Sequence, residues 1–268
     1  EIDGLRALAV LPVILYHAGF EFFSGGFVGV DVFFVISGYL ITSLILQQKM
    51  KGEFSLLIFY ERRARRILPA LFLVMFCSIP LAYFLMMPNQ LEAFSGSLIA
   101  ATLFFSNIFF YMETDYFGIA AELKPLLHTW SLAVEEQYYL LFPLVVFLVG
   151  RGKLLLFLIC LGILLSFCLS QFGGNLSVVY PFVENERLWM DVPSWAFFNT
   201  PTRIWEIMIG ALTAIYLIDK QQFKGVTAEL SSFLGLSLIL GSIFIFEQAT
   251  PHPSIYTLAP VLGTALII

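Results

Sequence analysis

The sequence predicts an all-α polytopic transmembrane helix bundle, and three observations carry that prediction. Of 268 residues, 59% are hydrophobic and 12% are charged, where a soluble domain is nearer a quarter charged. With a mean hydropathy of +0.89, no water-soluble core can hide this much apolar surface, so lipid is the solvent for much of it. Apolar runs of the length that crosses a bilayer, about 20 residues, recur along the chain, without the alternation of apolar and polar positions that marks a membrane β-barrel.

Taken in order, the apolar segments cover 5–21, 27–47, 67–87, 94–112, 134–150, 154–171, 204–219 and 231–247, with another starting near 257, which makes about eight to nine. The shorter ones must tilt, extend into their flanks or stop partway. The first carries His17 and lacks a small-residue cleavage site, so it reads as a helix and not as a cleavable signal. Lys49, Lys51, Arg62, Arg63, Arg65 and Arg66 crowd between the second and third segments. Positive charge of that density marks the cytoplasmic side and puts the amino end there too. Arg151 and Lys153 form a second basic group on the same side. An odd number of crossings must then precede Arg151, whereas 94–112 and 134–150 supply two. Either part of 113–133 also crosses, or the weaker basic group lies outside, or, the reading we favour, an irregular or re-entrant element lies between 94 and 133, which is tolerated at membrane depth only where it is buried or lines a cavity. By the same reckoning 172–203 is an outer loop, containing the sequon Asn175-Leu176-Ser177, and 219–224 is an inner one.

The net charge of -5 leaves no basic footprint, so nucleic acid is excluded as a partner. Cys77, Cys160 and Cys168 lie in apolar runs without metal-ligand spacing and read as packed free thiols; no metal is expected. Glu1 is not a methionine, and Ile268 falls inside an apolar run, so the chain is expected to be truncated, with further helices or a soluble domain beyond it.

The first helix holds the most informative pair. Arg6 and His17 are eleven positions apart, three turns plus about 20°, so they share a face roughly 16 Å apart along the axis. Asp3 can pair with Arg6 across one turn. His17 is the candidate general base; its bland alternative is a hydrogen bond gluing two helices. Arg62, Arg63, Arg65 and Arg66 can be a topology signal alone. Yet Arg63 with Arg66, or Arg62 with Arg65, lie three apart and can clamp a phosphate, which points to a diphosphate-bearing donor. The stretch His128 to Tyr139, with Trp130, Ser131, Glu135 and Glu136, is dense in polar groups before an apolar run. Adjacent carboxylates there are costly unless paired or solvated, and the aromatic residues alone would suit an interfacial belt. Asp31 belongs near His17, at the outer ends of antiparallel neighbours. Arg203 and Glu206 either pair across one turn or touch substrate. Ser37-Gly38 suits close helix packing.

Four stretches together resemble the acyltransferase-3 family of membrane-bound O-acyltransferases. DGLRALAVLPVILYH matches its arginine–histidine signature at Arg6 and His17, and GGFVGVDVFFVISGYLIT its second helix. ERRARRILPA matches its cytoplasmic arginine motif, best at Arg63 and Arg66. HTWSLAVEEQYYLLFP matches its central signature, and TRIWEIMIGAL looks like a further element. The resemblance runs through nearly the whole chain in order, and is nearest the O-antigen and peptidoglycan O-acetylase type. It implies a multi-pass protein of the bacterial inner membrane, acetyl-CoA or a related acyl-CoA as donor, and a surface glycan or glycolipid hydroxyl as acceptor. His17, Arg6 and Glu135 would then be catalytic, with the arginine segment on the CoA phosphates. Asp3, Asp31, His128, Trp130, Ser131, Glu136, Arg203 and Glu206 would support substrate. Residues 1–268 would form the membrane domain, and an extracytoplasmic SGNH-like domain or separate partner would complete the system. The alternative from another class is a proton-coupled transporter or flippase, for which repeated halves are expected and none is seen.

Overall fold

The structure, a computed structural model, describes residues 2–113, 123–172, 192–219, 225–247 and 249–268. The sequon and most of the expected outer loop, at 173–191, and the expected inner loop at 220–224 lie outside the described residues. The helices are α1 (Ile2–His17), α2 (Gly29–Met50), α3 (Leu56–Leu85), α4 (Pro88–Thr102), α5 (Ser106–Met112), α6 (Thr129–Val149), α7 (Lys153–Phe172), α8 (Val192–Phe198), α9 (Thr200–Asp219), α10 (Val226–Ile245) and α11 (Leu258–Ile267). Among the described residues there is no strand.

Six of these helices have the length and apolarity to span a bilayer: α2, α3, α6, α7, α9 and α10. The first expected segment is shorter than the sequence suggested, because α1 ends at His17 after 16 residues, a rise of about 24 Å. The third is longer: α3 begins at Leu56, so the arginine cluster lies on the helix and not in a loop before it. Exposure is inverted, as lipid solvation requires. Leu73, Phe76, Phe84 and Leu85 of α3 are exposed, while Asp31, Arg203 and Glu206 are fully buried. Cys77 on α3 and Cys160 on α7 are each exposed instead of packed inside, and all three thiols are free.

The chain divides into two compact units, one of Glu1–Gln47, Val149–Phe197 and Pro201–Ile268, the other of Gln48–Leu148 and Phe198–Thr200. In the first, helices approach through glycine. A Cβ on Gly38 would lie 1.8 Å from the Ile207 carbonyl oxygen, and one on Gly210 would lie 2.0 Å from that of Val35. Only glycine permits the α2–α9 crossing, as Ser37-Gly38 led one to expect. Gly29 meets the Ala9 carbonyl in the same manner, which ties α1 to α2. Trp205 N–H donates to Ser166 Oγ at 3.1 Å, joining the start of α9 to the latter half of α7. These contacts bring the last turn of α1, the first turns of α2 and α9, and the end of α7 to one end of the unit.

The second unit contains the irregular element the charges called for. Arg63 and Tyr60 of α3 reach Glu136 and the Leu140 carbonyl of α6, so the two helices are antiparallel. On that register the first turn of α6 lies opposite the middle of α3, so the chain that leaves at the end of α3 returns partway along it. It does so through α4 and α5, separated at 103–105 by a break in which Phe104 takes a φ of 55°. A break frees backbone carbonyls that lipid cannot satisfy. Gln137 Nε2 donates to the Phe104 carbonyl at 2.9 Å and to Asn107 Oδ1 at 3.0 Å. Asn107 Nδ2 in turn donates to the Phe198 carbonyl at 3.2 Å, and Thr200 Oγ1 to Gln137 Oε1. Lys49 Nζ donates at 2.6 Å to the Val146 carbonyl, one of the last-turn acceptors that α6 leaves without an intrahelical donor.

Candidate functional site

On α1, Arg6 Nη1 pairs with Asp3 Oδ1 at 3.2 Å across one turn. His17 closes the helix, exposed, with its Nδ1 2.8 Å from the Val13 carbonyl oxygen. A carbonyl only accepts, so this contact puts the proton on Nδ1 and makes Nε2 the lone-pair nitrogen. Of the two neutral tautomers, the contact selects the one with its lone pair on Nε2. Tyr16 packs edge-on against it, with centroids 5.0 Å apart, and Tyr16 also meets Phe27.

Asp31, expected beside His17, is bonded elsewhere. Its Oδ1 accepts from Arg203 Nη2 at 2.7 Å and lies 3.4 Å from His252 Nε2. Arg203 Nη1 lies 3.1 Å from both Glu206 Oε1 and His252 Nε2. Asp31, Arg203 and Glu206 are each 0% exposed and His252 8%. The rings of Phe27 and Phe197 flank the imidazole, and the guanidinium sits over Phe34. The one-turn pairing of Arg203 with Glu206 is present, but inside a larger buried centre. His252 is the member that sequence reading missed. It follows α10 in an irregular stretch, and no periodicity ties it to Asp31 or Arg203. Its one signal was the presence of a histidine between two apolar helices.

In the second unit the arginines divide their work. Arg63 Nη2 pairs with Glu136 Oε1 at 3.2 Å, and its guanidinium lies 4.0 Å from the centroid of the Tyr139 ring. Arg65 pairs with Glu61 at 2.8 Å. Among the described residues neither Arg62 nor Arg66 enters an ion pair, and both are exposed. Four positions apart on α3, they stand about 40° from one another. Arg62 and Arg66 thus share a face, and among the described residues neither faces an internal carboxylate in an ion pair.

Glu135 and Glu136 point apart, as consecutive helical residues must. Glu136 takes Arg63, and Glu135 Oε2 accepts from Tyr139 Oη at 2.9 Å. Trp130, Tyr138 and Tyr139 are buried, which corrects the interfacial-belt reading. Trp130 packs edge-to-face on Phe198, and Tyr138 stacks on Phe142. Ser131 Oγ donates to the His128 carbonyl at 3.2 Å, and the His128 side chain is exposed. Among the described residues no group of His, Cys, Asp or Glu is arranged to hold a metal ion.

A polytopic helical bundle with lipid-facing apolar surface and an ionic centre buried inside defines an integral membrane protein. Comparison with known proteins narrows the class: residues 1–268 match the acyltransferase domain of the acyltransferase-3 family, to which the chain belongs. It is 38% identical over 291 residues to the peptidoglycan O-acetyltransferase OatA of Listeria monocytogenes, covering 100% of this chain and 43% of that protein. It is 35% identical over 253 residues to the O-acetyltransferase OatA of Staphylococcus aureus, covering 91% of this chain and 40% of that one. The chain thus spans about two fifths of the length of these relatives. These names do not favour the transporter alternative. No solved structure matches the chain.

Proposed function

We propose that the chain is the membrane domain of an O-acyltransferase that moves an acetyl or other acyl group from cytoplasmic acyl-CoA to a hydroxyl of a cell-envelope glycan or glycolipid. The observation that carries this reading is the 2.8 Å contact of His17 Nδ1 with the Val13 carbonyl, which in the neutral ring puts the lone pair on Nε2, the nitrogen a general base would use. As the oxygen attacks the thioester carbonyl, the new C–O bond forms and the C–S bond breaks. His17 takes the hydroxyl proton, and the CoA sulfur leaves as a thiolate. The same proton bookkeeping serves direct transfer and a route through an acyl intermediate.

Arg62 and Arg66 are the residues we assign to the donor phosphates, since neither is spent on an internal carboxylate. Arg63 acts as a positioning residue that fixes α3 on α6 through Glu136 and Tyr139, and Arg65 adds positive charge. Arg6 orients the donor or stabilises developing negative charge, with Asp3 steadying it. Glu135, held by Tyr139, orients the acceptor, and His128, Trp130 and Ser131 shape its surroundings. The Listeria relative is named for peptidoglycan, which supports a cell-wall glycan as acceptor. An extracytoplasmic SGNH-like domain, or a separate partner, would complete the system in this reading.

The test is transfer of label from radiolabelled acetyl-CoA to envelope glycan in membranes containing the intact protein. Folded His17→Ala is expected to lose at least about 100-fold in kcat, the scale of general base catalysis. Labelling equal to wild type removes His17 from the mechanism. The Arg62→Ala/Arg66→Ala pair is expected to raise the donor KM with kcat little changed, and an unchanged donor KM returns those arginines to a topology signal.

A further inference from the structure

The buried centre of the first unit contains two carboxyl groups, one guanidinium and one imidazole, all in a region stripped of water. Its hydrogen bonds state where the protons are. Arg203 Nη1 can only donate, and it is hydrogen-bonded to His252 Nε2 at 3.1 Å. That nitrogen therefore presents a lone pair and the imidazole is neutral, with its proton on Nδ1, 3.3 Å from Thr257 Oγ1. If both carboxyls were ionised the centre would hold one negative charge in excess. An uncompensated charge of that kind is among the costliest things a membrane interior can contain.

The carboxyl oxygens carry a second, independent sign. Asp31 Oδ1 is served by Arg203 Nη2. Among the described residues no donor reaches Asp31 Oδ2 or either oxygen of Glu206, although all are fully buried. Glu206 Oε1 is 3.1 Å from Arg203 Nη1 but off its N–H direction. The two carboxyl groups are themselves within hydrogen-bonding reach of one another. Two acceptors facing each other without a donor are repulsive, whereas a carboxylic acid facing a carboxylate makes a strong, short hydrogen bond.

We propose that Asp31 and Glu206 form a proton-binding site, in which one proton is shared between their carboxyl groups beside Arg203 and His252. One proton supplies both the missing charge and the missing donor. It makes the four-residue centre neutral and locks the first turn of α2 to the second turn of α9. His252 Nε2 lies 3.4 Å from Asp31 Oδ1 and accepts from Arg203, so the imidazole flanks the shared proton without holding it. The site stands apart from the acyl-transfer reading and does not depend on His17.

Infrared spectra of the intact protein in lipid nanodiscs, recorded in ordinary and deuterated water at neutral pH, test it directly. The wild type is expected to show a deuterium-sensitive carboxylic-acid carbonyl band that disappears in Glu206→Gln and, separately, in Asp31→Asn. Either substitution leaves a single carboxylate for Arg203, with no proton to share. A wild-type spectrum without such a band, or a band that survives both substitutions, overturns the proposal. Thermal midpoints give a second reading. The amide of Glu206→Gln replaces the shared O–H with an N–H donor, so its midpoint should match the wild type. A midpoint well above wild type, the mark of an excess charge removed, overturns the site. Should Glu206→Gln not fold, loss of the band in Asp31→Asn supports the site and its persistence there overturns it.

Discussion

Arg203 and Arg63 both meet a carboxylate one helix away, yet they do so in different surroundings. Arg203 is entirely enclosed, with Asp31, Glu206 and His252 around it and Phe34 and Phe197 against its guanidinium plane. Arg63 and Glu136 retain 16% and 14% exposure, and Tyr139 covers one face of the guanidinium. The contrast teaches what an arginine does in a membrane protein. Where no water remains, every charge must be answered locally, so the ions accumulate into a closed group. Where some exposure persists, one carboxylate and one aromatic ring suffice, and neighbouring arginines stay open to a ligand.

The largest effect is expected from Arg203→Gln, which strands the carboxyl pair without a counter-charge and should cost about 3–5 kcal/mol. Thermal unfolding in detergent, followed by size-exclusion chromatography, should show a steep drop in midpoint or loss of folded protein. Arg203→Lys should recover only part of it, because a point charge cannot serve Asp31 and His252 in two directions. Arg63→Gln should cost about 2 kcal/mol, one charge-assisted hydrogen bond plus a cation–π contact. Equal midpoint losses at Arg203 and Arg63 would erase the distinction drawn between them. Gln137→Leu sharpens it with a neutral case. It leaves the Phe104 carbonyl at the α4–α5 break without its donor, worth about 1–2 kcal/mol, and amide exchange at 104–107 should rise. Glu61→Gln, acting on a pair exposed by 53% and 79%, should stay within about 0.5 kcal/mol in the same assay.

The legibility of these features from sequence followed their range along the chain. Arg203 and Glu206 are three positions apart, so their pairing could be read from helical spacing. Arg65 with Glu61 is equally local. Arg63 with Glu136 is separated by 73 positions, and the three-residue spacing of Arg63 and Arg66 gave no sign of that partner. The irregular element was foreseen between 94 and 133 because charge and hydropathy disagreed about the number of crossings. Its break at 103–105 was not foreseen, since Phe104 carries none of the glycine or proline marks that usually signal one. Trp130 and the tyrosines resembled interfacial anchors because aromatic residues beside an apolar run look the same from sequence whether they face lipid headgroups or a neighbouring helix.

By itself the sequence determined the solvent, the helical class and the first helix's arginine–histidine face. Each follows from composition or from a repeat of a few residues, which local geometry converts into structure without reference to partners. Only the tertiary structure decided which ions meet. Asp31 and Arg203 are 172 positions apart, and His252 joins them from beyond another helix. Nothing local relates these residues. Close glycine crossings bring them to one end of the unit, and the cost of an unanswered charge in a water-free interior fixes them there.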